Sequence, residues 1–155
     1  MKQKPIINIL RGEGHELYRI EEFDVLQVPY YASLISAGFP SLADDYLDER
    51  INLNEFLVKN PTATYMLKVR GNSMEDANIK DGAILIIDLL LEPEDGRIAV
   101  CYLDNTFTVK TIRKKEGKLF LEAANAAYPA IEVTEAMSMK VLGMVTFIIM
   151  KPEVQ

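Results

Sequence analysis

Residues 97–113 read RIAVCYL-DN-TFTVKTIR: two runs rich in β-branched and aromatic residues, joined by the two-residue turn Asp104-Asn105. This is how a β-hairpin looks in sequence, because a tight two-residue turn needs a backbone conformation that Asp and Asn tolerate. The rest of the chain beyond Pro61 follows the same plan. TYMLKVR (64–70), AILIID (83–88), KLFLEA (118–123), AIEV (130–133) and MKVLGMVTFIIM (139–150) are short strand-like runs. Turn residues separate them at Gly71-Asn72, Asp81-Gly82, 94–96 and Glu116-Gly117. Many short strands at close spacing predict a mostly β fold, an antiparallel β-sandwich or partly open barrel.

Upstream the character changes. Residues 1–37 carry two modest apolar runs, PIINIL and FDVLQVPYYASLISAGF, the second ending just past residue 37; they read as an extended arm rather than a self-sufficient domain. Residues 38–60 read as a linker with one short helix over 53–58, capped by Asn52 and ended by Asn60-Pro61. Residues 61–155 form the β-rich domain.

With 155 residues, 49% of them hydrophobic, the chain can build one ordinary domain with a real core. A net charge of −6 lacks the electrostatic footprint of a protein that holds nucleic acid strongly by itself, so protein partners are expected. The one cysteine, Cys101, cannot form an internal disulfide and reads as a small buried apolar residue, which fits a reducing cytoplasm. No apolar run approaches the roughly 20 residues that span a bilayer, so no membrane anchor is expected.

The stretch RGNSMEDANIKDGA (70–83) puts Ser73 at a corner after a strand. A serine hydroxyl is a weak nucleophile until a neighbouring base takes its proton. The single histidine, His15, lies in a polar segment of the arm, and the corner lacks the G-x-S-x-G elbow, so a histidine triad is disfavoured. Lysine is the other recognised base, and it must be neutral, hence desolvated. Lys110, within FTVKTI, has Thr108 and Ile112 on its strand face and Val109 on the opposite one. Lys68 is the rival, five residues from Ser73 on the strand leading to it. On these residues alone, Lys110 also reads as an outward lysine on an amphipathic strand, and spacing does not bring it to Ser73.

V-R-G-N-S-M (69–74), I-K-D-G (79–82) and F-T-V-K-T-I (107–112) together resemble the LexA/UmuD-type self-cleaving serine peptidases. A further element, SAGFPSLADDY (36–46), supplies Ala37-Gly38 in the position of that family's scissile bond. The likeness covers residues 26–151 and is strongest to the mutagenesis branch; residues 1–25 extend beyond it. One departure is Asp81-Gly82-Ala83, where the family usually has Asp-Gly-Asp. The resemblance implies Ser73 as nucleophile, Lys110 as general base and the backbone amides of Asn72 and Ser73 as oxyanion donors. It also implies self-cleavage of the Ala37–Gly38 bond, removing the 1–37 arm. The implied setting is the DNA-damage (SOS) response. RecA filaments on single-stranded DNA would promote cleavage, and a homodimeric trimmed form would serve a Y-family polymerase catalytic subunit in translesion synthesis. No cofactor and no metal are implied.

Three rival readings stand beside it. A LexA-type repressor needs a DNA-reading module ahead of the cleaved bond, for which the arm lacks a helix-turn-helix pattern. A type I signal peptidase shares Ser-Lys chemistry but needs a membrane anchor. A catalytically silent binding subunit would keep Ser73 and Lys110 without using them. Gly12-Glu13-Gly14 lacks phosphate-loop context, residues 44–49 lack calcium-loop spacing, and one His with one Cys makes no zinc site.

Overall fold

A computed structural model describes residues 17–19, 27–30 and 49–152, which fall into two compact units, one of residues 1–20 with 60–155 and one of residues 21–59. In the smaller unit, β2 (Gln27–Tyr30) pairs antiparallel with β3 (Glu49–Asn52), and a short helix, α1 (Leu53–Leu57), follows. Asn52 caps that helix: its Oδ1 accepts from the Asn54 N–H at 3.1 Å, and its Nδ2 donates to Glu55 at 2.9 Å. These bonds satisfy groups that a helix start otherwise leaves unpaired. Residues 49–52, expected to be linker, are a strand instead, paired with the Val28-Pro29 segment; the partner supplies what the charged sequence ERIN does not advertise.

The larger unit is one antiparallel eight-stranded sheet. Its members are β1 (Leu17–Arg19), β4 (Thr64–Lys68), β5 (Ile84–Asp88), β6 (Ile98–Leu103), β7 (Thr106–Lys115), β8 (Lys118–Glu122), β9 (Ile131–Val133) and β10 (Met139–Ile149). They lie in the order β1-β4-β5-β10-β6-β7-β8-β9, so the sheet is open, with β1 and β9 at its edges. The mostly β, antiparallel expectation holds, as a sheet that does not close into a barrel. The hairpin of residues 97–113 is β6 and β7, and both turn residues take left-handed backbone conformations, Asp104 at φ 44° and Asn105 at φ 69°. A two-residue turn of that hand matches the twist of the strands it joins.

Strand β6 is buried on both faces. Val100, flanked by Ile98 and Tyr102, packs into a first core with Tyr65, Met74, Ile79, Leu85, Ile87 and Leu142. Ala99 and Cys101 point the other way, into a second core with Ile112, Leu121 and Met144. Each large apolar side chain buried there contributes about 1.5–3 kcal/mol. Strand β10 serves both cores through two register shifts, between Val141 and Gly143 and between Val145 and Phe147, which re-aim its side chains. At Gly143 an added Cβ would stand 3.0 Å from the Asp88 carbonyl oxygen and 3.2 Å from its carbon, both backbone atoms of the neighbouring strand. Gly143→Ala is therefore expected to destabilise the protein by about 1–3 kcal/mol, read as a lower urea midpoint; an unchanged midpoint would refute the close approach.

Candidate active site

The strand β4 ends in a corner that the sequence builds from three devices. Gly71 takes φ +96°, a conformation that strains any side-chain-bearing residue, and its N–H donates to Asp81 Oδ1 at 2.7 Å. Beyond it, residues 75–77 form one 3₁₀ turn (Glu75–Ala77), whose first N–H donates to the Asn72 carbonyl at 3.2 Å. Met74 and Ile79 then bridge to each other and sink into the first core, 2% and 0% exposed. Ser73 is thus held half-buried between a glycine that permits the turn and a methionine that anchors it.

Lys110 arrives from β7, where it pairs with Ala99. Its Nζ donates to Ser73 Oγ at 3.0 Å and to the Val109 carbonyl at 3.1 Å, although Ser73 lies 37 residues away in sequence. The outward reading of this lysine fails: it is 6% exposed, on the strand face it shares with Ile112 and beside Ala99 of the second core. Lys68, the rival base, ends β4 exposed to solvent.

Burial pushes the Lys110 amine below the ordinary lysine value, because the charged form loses hydration; the nearby Cys101 opposes that shift. The opposition is conditional. Burial raises the Cys101 thiol to about 11, with Lys110 pulling the other way, so at neutral pH it is uncharged and offers the amine no anion. A thiol held that high is not a nucleophile at neutral pH. A hydroxyl bonded to an amine whose charged form is disfavoured has the arrangement of an activated nucleophile and its base.

The β8–β9 loop closes the other side of the corner, and the sequence reading did not find it. Asn125 Nδ2 donates to the Asn72 carbonyl at 2.9 Å, and the Tyr128 hydroxyl donates to Asn72 Oδ1 at 2.7 Å. The Asp76 N–H donates to the Ala124 carbonyl at 2.8 Å, and the Ala124 N–H meets the Met74 sulfur at 3.4 Å. The available signal was Asn125-x-x-Tyr128-Pro129 between two strands, which reads as turn chemistry until its partners are known. Ala83, the departure from Asp-Gly-Asp, is 1% exposed in the first core, with its carbonyl accepting from the Val69 N–H at 2.8 Å; the change faces the core.

Ala37, Gly38 and His15 lie outside the described residues. Among the described residues no three His, Cys, Asp or Glu side chains are grouped to hold a metal ion, and no helix is long and apolar enough to cross a membrane.

A family model described as Peptidase S24-like matches residues 29–146. Among curated relatives, Protein MucA of Escherichia coli is 47% identical over 88 residues, covering 57% of this chain and 60% of MucA. Protein SamA of Salmonella typhimurium is 32% identical over 123 residues, 79% of this chain and 85% of SamA. The LexA repressor of Paracidovorax citrulli is 34% identical over 138 residues, 89% of this chain and 60% of the repressor. The matched part of the chain thus spans 60% of the length of the MucA relatives.

Proposed function

Because the chain belongs to the Peptidase S24-like family, in its UmuD-like group, we propose that it is an SOS-response protein that cleaves its own Ala37–Gly38 bond with Ser73 and Lys110. The observation that carries this reading is the 3.0 Å contact between Lys110 Nζ and Ser73 Oγ inside an apolar surround. Neutral Lys110 takes the Ser73 proton as Oγ bonds to the carbonyl carbon of Ala37. The backbone amides of Asn72 and Ser73 receive the oxyanion, an interaction whose loss costs roughly 10²–10³-fold in comparable sites. Collapse breaks the bond to Gly38, and the proton on Lys110 passes to the departing amine. Lys110 then takes a proton from water as the water oxygen attacks the Ser73 ester, and returns that proton to Ser73 Oγ as the ester bond breaks, releasing the arm as a carboxylic acid that ionises to carboxylate. Because substrate and catalyst share one chain, the rate is set by how often the arm occupies the site.

The rest of the reading concerns setting. RecA filaments on single-stranded DNA raise that occupancy. The trimmed body, residues 38–155, acts as a homodimer in the cytoplasm with a Y-family polymerase catalytic subunit. The similarity to MucA and SamA supports this branch over a repressor. The test is the intact mass of the purified chain over time, at neutral and alkaline pH, with and without activated RecA filaments. A species beginning at Gly38 is expected in the wild type and is expected to be absent in Ser73→Ala. A wild type that stays whole under every condition would leave the silent binding subunit as the better account.

A further inference from the structure

We infer that Asn125 and Tyr128 are positioning residues of this self-cleavage, acting through Asn72 on the corner that carries Ser73; the inference rests on the peptidase reading above. Asn72 is gripped at two atoms by one loop. Its backbone carbonyl accepts from Asn125 Nδ2 and its side-chain Oδ1 accepts from the Tyr128 hydroxyl, across 53 and 56 residues of sequence. The carbonyl bond fixes the plane of the Asn72–Ser73 peptide, the unit whose N–H belongs to Ser73 and is a proposed oxyanion donor. The side-chain bond fixes the rotation of Asn72 itself.

The loop is stiff enough to act as a clamp. Asn125 folds it back on itself: its Oδ1 accepts from the Ala127 N–H at 2.9 Å, and its carbonyl accepts from the Tyr128 N–H at 3.0 Å. The Asp76 N–H bond to the Ala124 carbonyl ties the loop to the far side of the corner. Gly71, one residue before Asn72, has little conformational preference of its own, so the corner's orientation depends on such outside restraints. Tyr128 is 43% exposed and belongs to neither core, so its hydroxyl has no packing duty that would account for this bond. Oxyanion donors act only when they point at the right place before the reaction, and small displacements cost large factors in rate.

The experiment is self-cleavage of the full chain followed by intact mass across a pH series, for wild type, Tyr128→Phe, Asn125→Ala, Asn72→Ala and the Asn72→Ala/Tyr128→Phe pair. Tyr128→Phe is expected to lower the plateau rate about tenfold while leaving the pH midpoint set by Lys110 unchanged, and Asn125→Ala to lower it further. Adding Tyr128→Phe to Asn72→Ala is expected to change nothing more, since the bond is already gone. A merely structural role would move the melting temperature and leave the rate well below it intact. Full wild-type rate in Tyr128→Phe, a shifted midpoint, or additive losses in the pair would each overturn the clamp. A wild type inert at every pH would overturn the peptidase reading and the clamp with it, whereas an active wild type with an indifferent Tyr128→Phe overturns the clamp alone.

Discussion

Lys110→Met is expected to lower the self-cleavage rate by about 10²–10⁴-fold, the contribution of a positioned general base, while leaving a folded protein. Methionine has similar length and no charge, and the surround of Ala99, Cys101 and Ile112 suits it better than it suits an amine. The two bonds lost, to Ser73 Oγ and the Val109 carbonyl, are worth about 0.5–1.5 kcal/mol each, and relief of amine desolvation offsets them. The urea midpoint at neutral pH should therefore move little. Lys110→Arg should be as inactive as the methionine variant, because a guanidinium keeps its proton at any working pH. Intact mass over time measures both, and wild-type cleavage in either variant would place the base elsewhere.

Raising the pH is expected to accelerate wild-type cleavage by up to tenfold per unit, then flatten at a midpoint below the ordinary lysine value of about 10.4. Only the neutral amine can accept the Ser73 proton, and its fraction rises tenfold per unit until the Lys110 pKa is reached. Burial lowers that pKa, so the plateau arrives early. Stability follows the same shift. Between the folded and unfolded pKa values of Lys110 the unfolded chain binds the proton more readily, so stability from this group grows as pH rises through that window and is lost as pH falls through it. Cys101 works in the opposite direction: its thiol is raised from 9.0 to about 11, so its contribution is complete below 9 and is lost as pH rises toward 11. Cys101→Ala separates the two in denaturation curves. A flat pH–rate profile, or a midpoint at the unperturbed lysine value, would count against Lys110 as the base.

What the sequence disclosed follows the range of the interactions involved. The 97–113 hairpin and the Asn52 cap depend on neighbours a few residues away, and both were legible from turn and capping chemistry. The conformation of Gly71 was legible too, since a strand that must turn sharply before Ser73 calls for a residue free of a Cβ. The burial of Lys110 was not, because Thr108 and Ile112 define only its strand face, and what lies across that face is set by β6. Nor was the β2–β3 ribbon, since Pro29 and the charged residues of β3 disguise strands that pairing stabilises. Asn125 and Tyr128 were missed for the same reason: an Asn and a Tyr in a loop carry no signal of a partner more than fifty residues upstream.

The sheet order has a consequence for timing. Strand β10 is the last of the described strands in sequence, yet it lies between β5 and β6, joining the β4–β5 pair that flanks Ser73 to the hairpin that carries Lys110. Until residues 139–149 are available, no strand pairing joins the piece of sheet that flanks Ser73 to the piece that carries Lys110, so the contacts between corner, β8–β9 loop and lysine lack the seam that holds them in register. Non-local pairings of this kind form late, after the loop-closure entropy has been overcome. The self-cleavage proposed for this protein is thus interlocked with the arrival of β10: before that strand pairs, the nucleophile and its base have no shared sheet to hold them together.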